Sequence, residues 1–143
     1  CGKDHGFMPI VVRVVSQEEY TKWVGAQKTL LARAAEDETR SYTLAELKSR
    51  GEKVYAANCV ACHQANGKGV PPTFPPLDGS PVVRGPGAAQ IDLVLNGKPN
   101  TAMQSFARLG NAELAAVITF TRNNWGNSTG DAVQPAEVKA RRQ

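Results

Sequence analysis

Apolar and polar positions fall into distinct blocks along the chain. Residues 9–15, PIVVRVV, are apolar but for one arginine and rich in β-branched side chains, with Gly6 before and Ser16 after. Such a run predicts one buried strand. Ser16-Gln17-Glu18-Glu19 has the form of a capping box, in which a hydroxyl and a carboxylate each satisfy a backbone N–H left over at a helix start. The helix it opens is expected to reach about residue 35. Its apolar positions, Tyr20, Trp23, Val24, Leu30 and Leu31, are scattered through alanine-rich filler rather than gathered into a stripe. Residues 36–41 are polar and aperiodic, and read as a linker. Thr43-Leu44-Ala45-Glu46 is a second capping box. The helix after it places Leu44, Leu47, Gly51, Val54, Tyr55 and Asn58 on one face, at spacings of three and four. Glycine in a helix costs about 1 kcal/mol against alanine, so Gly51 predicts that another backbone passes close by. Residues 66–87 hold six prolines and five glycines and are expected to be loop. A short helix over 88–95 is stopped by Asn96-Gly97. Asn111 is expected to cap a last helix to about residue 124, with Leu114, Val117, Ile118 and Thr121 on one face and Phe120 beside it. Residues 126–143 read as a frayed, polar tail.

The 143 residues are 41% hydrophobic and 21% charged, which supports a packed core and argues against wholesale disorder. Three short helices over 43–125 would nonetheless enclose a poor core, so something besides polypeptide is expected to fill the middle. No run approaches the roughly 18 apolar residues of a membrane span, and no signal peptide is recognisable. The chain opens on Cys1, which reads as the start of a processed product or of part of a longer chain. Three cysteines are too few for a disulfide scaffold. The formal charge of +4 is uneven: residues 1–47 carry a net −1, residues 48–127 a net +4 and residues 128–143 a net +1. No Lys/Arg cluster interleaves with aromatics, so a nucleic-acid stripe is not expected. An acidic protein partner or an anionic surface remains compatible with the balance.

Cys59-Val60-Ala61-Cys62-His63 carries the chemistry. C-x-x-C-H is the attachment signature of a c-type haem. Two thiols three residues apart at a helix end can each form a thioether to one vinyl group of the same porphyrin, and the adjacent histidine then presents its imidazole to the iron. A structural zinc site wants four ligands, and only Cys1 and His5 remain, both in another segment. A thioredoxin-like dithiol is expected between a strand and a helix, whereas this one follows a helix and precedes a proline-rich loop. One covalent haem c is therefore the expected cofactor, with His63 as an iron ligand. A low-spin haem needs a sixth ligand, normally His or Met. His5 and Met8 lie beyond the linker. Met103 lies 40 residues past His63, between two helices, among small or polar neighbours, and is the expected ligand; the alternative is a gap-filling core methionine.

With these residues in view, 43–125 resembles a class I cytochrome c. The resemblance rests on the capped helix with Gly51 and Tyr55, the CVACH motif, the FPPLDGS and GKPNTAM loops, and the last helix with Phe120. It implies a mainly α fold of three main helices around a covalent haem, preceded by a residual strand and a linker helix. It further implies that Gly51 lets the first helix cross the last one against Phe120. A loop proline, Pro75 or Pro76, would accept the His63 Nδ1 proton through its carbonyl, and Leu77 would pack on the haem. Tyr55, Phe106 and Trp125 would be pocket wall or propionate contacts, or plain core.

Cys1, His5 and Met8, spaced C-x-x-x-H-x-x-M before a β-branched run, resemble the last ligand loop of a cupredoxin. CGKDHGFMPIVVRVVS is closer still to the dinuclear copper (CuA) loop of cytochrome c oxidase subunit II. That resemblance makes these three residues a partial copper site, completed only in a full-length parent. It divides the chain into a cupredoxin remnant at 1–15, a helix and linker at 16–42, a cytochrome c domain at 43–125 and a tail at 126–143.

Together the two resemblances imply the C-terminal part of a subunit II fused to a cytochrome c domain, as in caa-type haem–copper oxidases. The implied role is that of an electron carrier without catalysis of its own, within an oxidoreductase complex. Electrons would pass from an external donor, a small cytochrome or cupredoxin, through haem c to the CuA domain and then to the catalytic subunit I. The expected place is the periplasmic side of the bacterial inner membrane, held there only through upstream helices. The alternative is a free or lipid-anchored periplasmic cytochrome c with another partner. A haem enzyme with an open iron site, such as a peroxidase, would require Met103 not to bind.

Overall fold

The computed structural model describes residues 12–142, apart from the side chains of 31–38. The chain divides into two units, Cys1–Ala34 and Ala35–Gln143. Helix α1 (Gln17–Thr39), whose last five residues fall in the second unit, starts on the expected capping box: the Glu19 carboxylate accepts from the Ser16 N–H at 3.0 Å, and the Ser16 hydroxyl from the Glu19 N–H at 3.2 Å. Tyr20, Trp23 and Leu30 are more than half exposed, as a helix without an apolar stripe requires. The helix does not stop near residue 35. It continues through four residues expected to be linker, Glu36 to Thr39, two of them glutamates, which favour helix by intrinsic propensity. The strand expected at 9–15 falls partly outside the described residues. From Val12 onward the backbone is irregular and exposed, since a strand needs a neighbouring ladder. Among the described residues the β-pairing is a single bridge, Val70 with Phe74.

The second unit is helical. Its elements are α2 (Leu44–Asn58), α3 (Val60–His63), α4 (Pro81–Arg84), α5 (Gly87–Asn96), α6 (Asn111–Arg122) and α7 (Pro135–Arg141). Helix α6 is its axis. Leu114 through Arg122 are all buried, because α2, α4, α5 and α7 pack around it. The tightest crossing is α2 on α6 at Gly51. A Cβ built there would lie 2.1 Å from the Ala116 carbonyl oxygen and 2.6 Å from the Phe120 Cβ.

Three expectations about this unit need correction. The cap of α6 is Gly110 rather than Asn111, with the Glu113 carboxylate accepting the Gly110 N–H at 2.9 Å. The 66–87 loop contains the one-turn helix α4, started by Pro81 at its first turn. The tail is docked, not frayed. Val133, Pro135 and Val138 are buried, and the Gln134 side chain both accepts from the Tyr42 N–H (2.9 Å) and donates to the Tyr42 carbonyl (3.0 Å).

Arg122 ties the far side together. Its guanidinium is 3% exposed and donates to the carbonyls of Val83 (2.7 Å) and Gly85 (2.9 Å), while pairing with Asp131. A buried cation is tolerable only when its donors are used in this way.

Two carboxylates make the stability of the unit acid-sensitive. Bonds from the Thr43 backbone N–H and hydroxyl hold the Glu46 carboxyl below the usual value of 4.5, and the Arg141 guanidinium does the same for Asp92. A group whose folded pKa is depressed contributes fully above its unfolded pKa and loses that contribution as pH falls through the folded one. Thermal melts between pH 7 and 3 should therefore be flat near neutrality and drop below about pH 4.5, less steeply in Glu46→Gln. An equal slope in the variant would remove Glu46 from the account.

Candidate cofactor site around Cys59, Cys62 and His63

Helix α2 ends at Cys59, whose N–H still reaches the Tyr55 carbonyl at 2.8 Å. The single turn α3 follows, with the N–H groups of Cys62 and His63 both bonded to the Cys59 carbonyl (3.2 and 2.9 Å). Gln64, at φ 60°, then turns the chain away. The two thiols and the imidazole thus sit on one turn, each half-buried.

The imidazole is oriented from outside that turn. His63 Nδ1 lies 3.0 Å from the Pro75 carbonyl oxygen, which places the donated proton on Nδ1 and leaves Nε2 with its lone pair. Of the two prolines open to this role, Pro75 makes the contact. The loop is returned to His63 by the Val70–Phe74 bridge (2.8 and 2.9 Å) and by the Gly69 N–H on the His63 carbonyl (3.0 Å). Only glycine serves at position 69. Its φ is +62°, and a Cβ would meet the Phe74 oxygen at 2.3 Å.

Tyr55 and Trp125 spend their polar groups on the backbone just after His63. The Tyr55 hydroxyl donates to the Gln64 carbonyl at 2.7 Å, and the Trp125 indole N–H to the Ala65 carbonyl at 3.0 Å. With Phe120 they form a cluster with ring centroids 5.3–5.6 Å apart. Burial and the neighbouring Cys59 thiol push the Tyr55 hydroxyl well above its usual pKa, which keeps it a donor. Both residues support the backbone just after His63 through these two bonds. Leu77 is half-buried and fixed through its own N–H on the Gly67 carbonyl (2.7 Å).

The Met103 segment hangs from the end of α5. The Met103 carbonyl accepts from the Lys98 N–H at 2.8 Å, and a Cβ at Gly97 would come within 2.6 Å of that same oxygen. The Phe106 N–H bonds the Val94 carbonyl at 3.0 Å, and its ring is 7% exposed, within the core. Cys1, His5 and Met8 lie outside the described residues.

One residue that sequence reasoning passed over belongs to the site's support. Asn127 is buried. Its amide donates to the Leu77 carbonyl (2.8 Å) and the Thr121 carbonyl (2.9 Å), and its oxygen accepts from the Gly79 N–H (3.0 Å) and Arg84 Nε (3.0 Å). Asp78 completes the clasp by accepting the Gly126 N–H at 2.9 Å. A lone asparagine after a helix carries no sequence signal for this.

The donor chemistry selects among the readings of the motif. Burial, and then the neighbouring Cys62, push the Cys59 thiol up to about 11. A redox dithiol needs the opposite shift. Among the described residues no three His, Cys, Asp or Glu converge on a point where an ion could be held. Cys59, Val60, Leu77, Val94, Met103 and Leu109 are instead half-buried apolar side chains packed on the edge of the core. Two thiols, one imidazole with a free Nε2, one thioether and this apolar rim fit a tethered haem c.

Comparison with known proteins agrees. Residues 46–120 match the family described as cytochrome c oxidase, cbb3-type, subunit III. Helix α7 lies beyond the matched residues. A cytochrome c-552 of Thermus thermophilus is 36% identical over 99 residues, covering 59% of this chain and 66% of the relative. The cytochrome c subunit of a quinone alcohol dehydrogenase from Gluconobacter oxydans is 34% identical over 100 residues, 62% of this chain but 21% of the relative. A probable cytochrome c oxidase subunit 2 of Rickettsia bellii is 47% identical over 32 residues, 22% of this chain and 12% of the relative. The chain thus spans about two thirds of the first relative's length and about a fifth of the second's. Among the described residues no helix is long and apolar enough to cross a membrane.

Proposed function

Given that the chain belongs to the cytochrome c family described as cytochrome c oxidase, cbb3-type, subunit III, we propose that Cys59 and Cys62 tether its haem c and that His63 and Met103 ligate the iron. The haem supplies one-electron chemistry. The protein's part is to hold the imidazole by Nδ1 on the Pro75 carbonyl, to exclude water with the apolar rim, and to keep the thioether segment in place. The His63–Pro75 contact carries this reading: an imidazole fixed by its Nδ1 proton to a backbone oxygen is prepared to ligate through Nε2.

The electron acceptor we infer is the CuA centre of a respiratory oxidase subunit II, reached on the periplasmic side of a bacterial membrane. The short match to an oxidase subunit 2 supports it, and so does the C-x-x-x-H-x-x-M spacing of Cys1, His5 and Met8. Fusion of donor and acceptor would raise their effective concentration. The net positive charge of 48–127 would steer an acidic surface toward it and weaken with salt. The second reading, a carrier serving another partner, is favoured by the likeness to cytochrome c-552 and to the dehydrogenase subunit.

Expression alongside thioether-forming machinery should give a red protein whose haem stays with the chain in denaturing gels. Cys59→Ser with Cys62→Ser should abolish that retention. Haem retained in the double variant would overturn the attachment. With the loaded protein, electron transfer to an isolated CuA domain that slows as salt rises supports the oxidase reading; the absence of transfer at low salt favours the second.

A further inference from the structure

We propose that Arg142 is a positioning residue for Met103, and that helix α7 is a brace holding the ligand segment closed. This rests on the reading of Met103 as an iron ligand. The segment between α5 and α6 is tied back to α5 just past Met103: the Leu95 carbonyl accepts from the Ser105 hydroxyl at 2.5 Å, and the Val94 carbonyl from the Phe106 N–H. Beyond these bonds lie residues 107–110 and then Asn111, the first residue of α6. There a single guanidinium takes over. Arg142 donates through Nη1 to the Ala107 carbonyl (2.8 Å), through Nη2 to the Leu109 carbonyl, and through Nε to the Asn111 side-chain oxygen (2.5 Å). A planar fork of fixed donors suits three acceptors spread over five residues, where a lysine could serve only one or two.

The brace has its own footing. Val138 is fully buried, Pro135 sits in the core, and the Gln134 amide is bonded twice to Tyr42, at the other end of the unit. Arg141, next to Arg142, pairs with Asp92 on α5. Helix α7 therefore links the element from which the Met103 segment hangs to the half of that segment α5 does not reach. Opening the segment, the motion that would withdraw the thioether, is resisted by the Ser105 and Phe106 bonds to α5 and, behind them, by the Arg142 fork.

The test uses the haem-loaded chain. Wild type, Arg142→Ala, Arg142→Lys and Arg141→Ala are compared by imidazole titration of the ferric iron, by the sulfur-to-iron charge-transfer band, and by thermal melting. In Arg142→Ala imidazole should bind about tenfold more tightly, the size expected when closure loses charged hydrogen bonds. Arg142→Lys should fall between it and wild type, and Arg141→Ala, which gives up one exposed ion pair to α5 but keeps the fork, should shift in the same direction by less than either. If Arg142→Ala does not retain haem, the lysine variant decides by the same shift. Imidazole affinity and band equal to wild type in both Arg142 variants, with only the melt lowered, would make the residue merely structural and overturn the proposal. A wild type lacking the charge-transfer band would instead refute Met103 as a ligand.

Discussion

Gly51→Ala should lower the melting temperature of the haem-loaded protein by roughly 10–20 °C. Two effects compete. Alanine is the better helix former by about 1 kcal/mol. Against this, its methyl would sit 2.1 Å from the Ala116 carbonyl oxygen and 2.6 Å from the Phe120 Cβ. Neither neighbour is the end of a flexible side chain, so the helices must move apart. Overpacking costs about 1–3 kcal/mol, and more where backbone has to shift. The clash therefore wins, with a net loss of about 2–4 kcal/mol. The displacement reaches the site through Phe120, whose ring packs on Tyr55 and Trp125. Gly25→Ala is the matched control. Nothing lies within 4 Å of its Cβ, so there the propensity gain should appear alone. Circular-dichroism melts of the two variants check both signs. A Gly51→Ala melt at or above wild type would show that α2 and α6 are not in contact as described.

Met103→Ala should lower the midpoint potential and open the iron to added ligands. A thioether favours ferrous iron relative to a second imidazole or water. Each tenfold of that preference lost lowers a one-electron potential by about 59 mV. Met103 is half-buried on the core edge, so its removal also trims apolar packing, and some fall in the melt is expected. The potential separates the roles. A gap-filling methionine would change the melt and leave the potential in place, whereas a ligand changes both. Redox titration with carbon monoxide binding to the reduced form measures the difference. An unchanged potential would show that another group ligates the iron.

How much of this could be read from the residues differs between fold and site. Both capping boxes rest on four neighbouring residues, so the starts of α1 and α2 are legible; Gly51 stands out because it costs its helix stability and announces a close backbone, while the identity of that backbone as α6 comes from the resemblance to class I cytochromes c. Helix α7 was not legible. Its buried side chains are Pro135 and Val138, with Val133 just before it, and its anchor is Tyr42, 92 residues away from Gln134. The Pro135 start with Glu137 two residues on is a local sign of a helix, but not of where it docks. The strand expected at 9–15 is not formed over its described residues 12–15 for the opposite reason: composition favours it, but pairing needs a partner. At the site, the spacing of Cys59, Cys62 and His63 speaks for itself because covalent attachment is local chemistry. The choice of Pro75 over Pro76 depends on the path of the loop. The uses of Tyr55 and Trp125 depend on where the 64–67 backbone passes, and Asn127 on an encounter between two loops. No periodicity records these.

The chain's two tryptophans lie in different units and different surroundings. Trp23 is 58% exposed on α1, whereas Trp125 is half-buried with its indole N–H on the Ala65 carbonyl. The molecule therefore contains two intrinsic fluorophores with separate duties. The red-shifted emission belongs to the helix before the haem-binding unit. The other indole, set behind the CVACH turn, reports whether that turn is still in place.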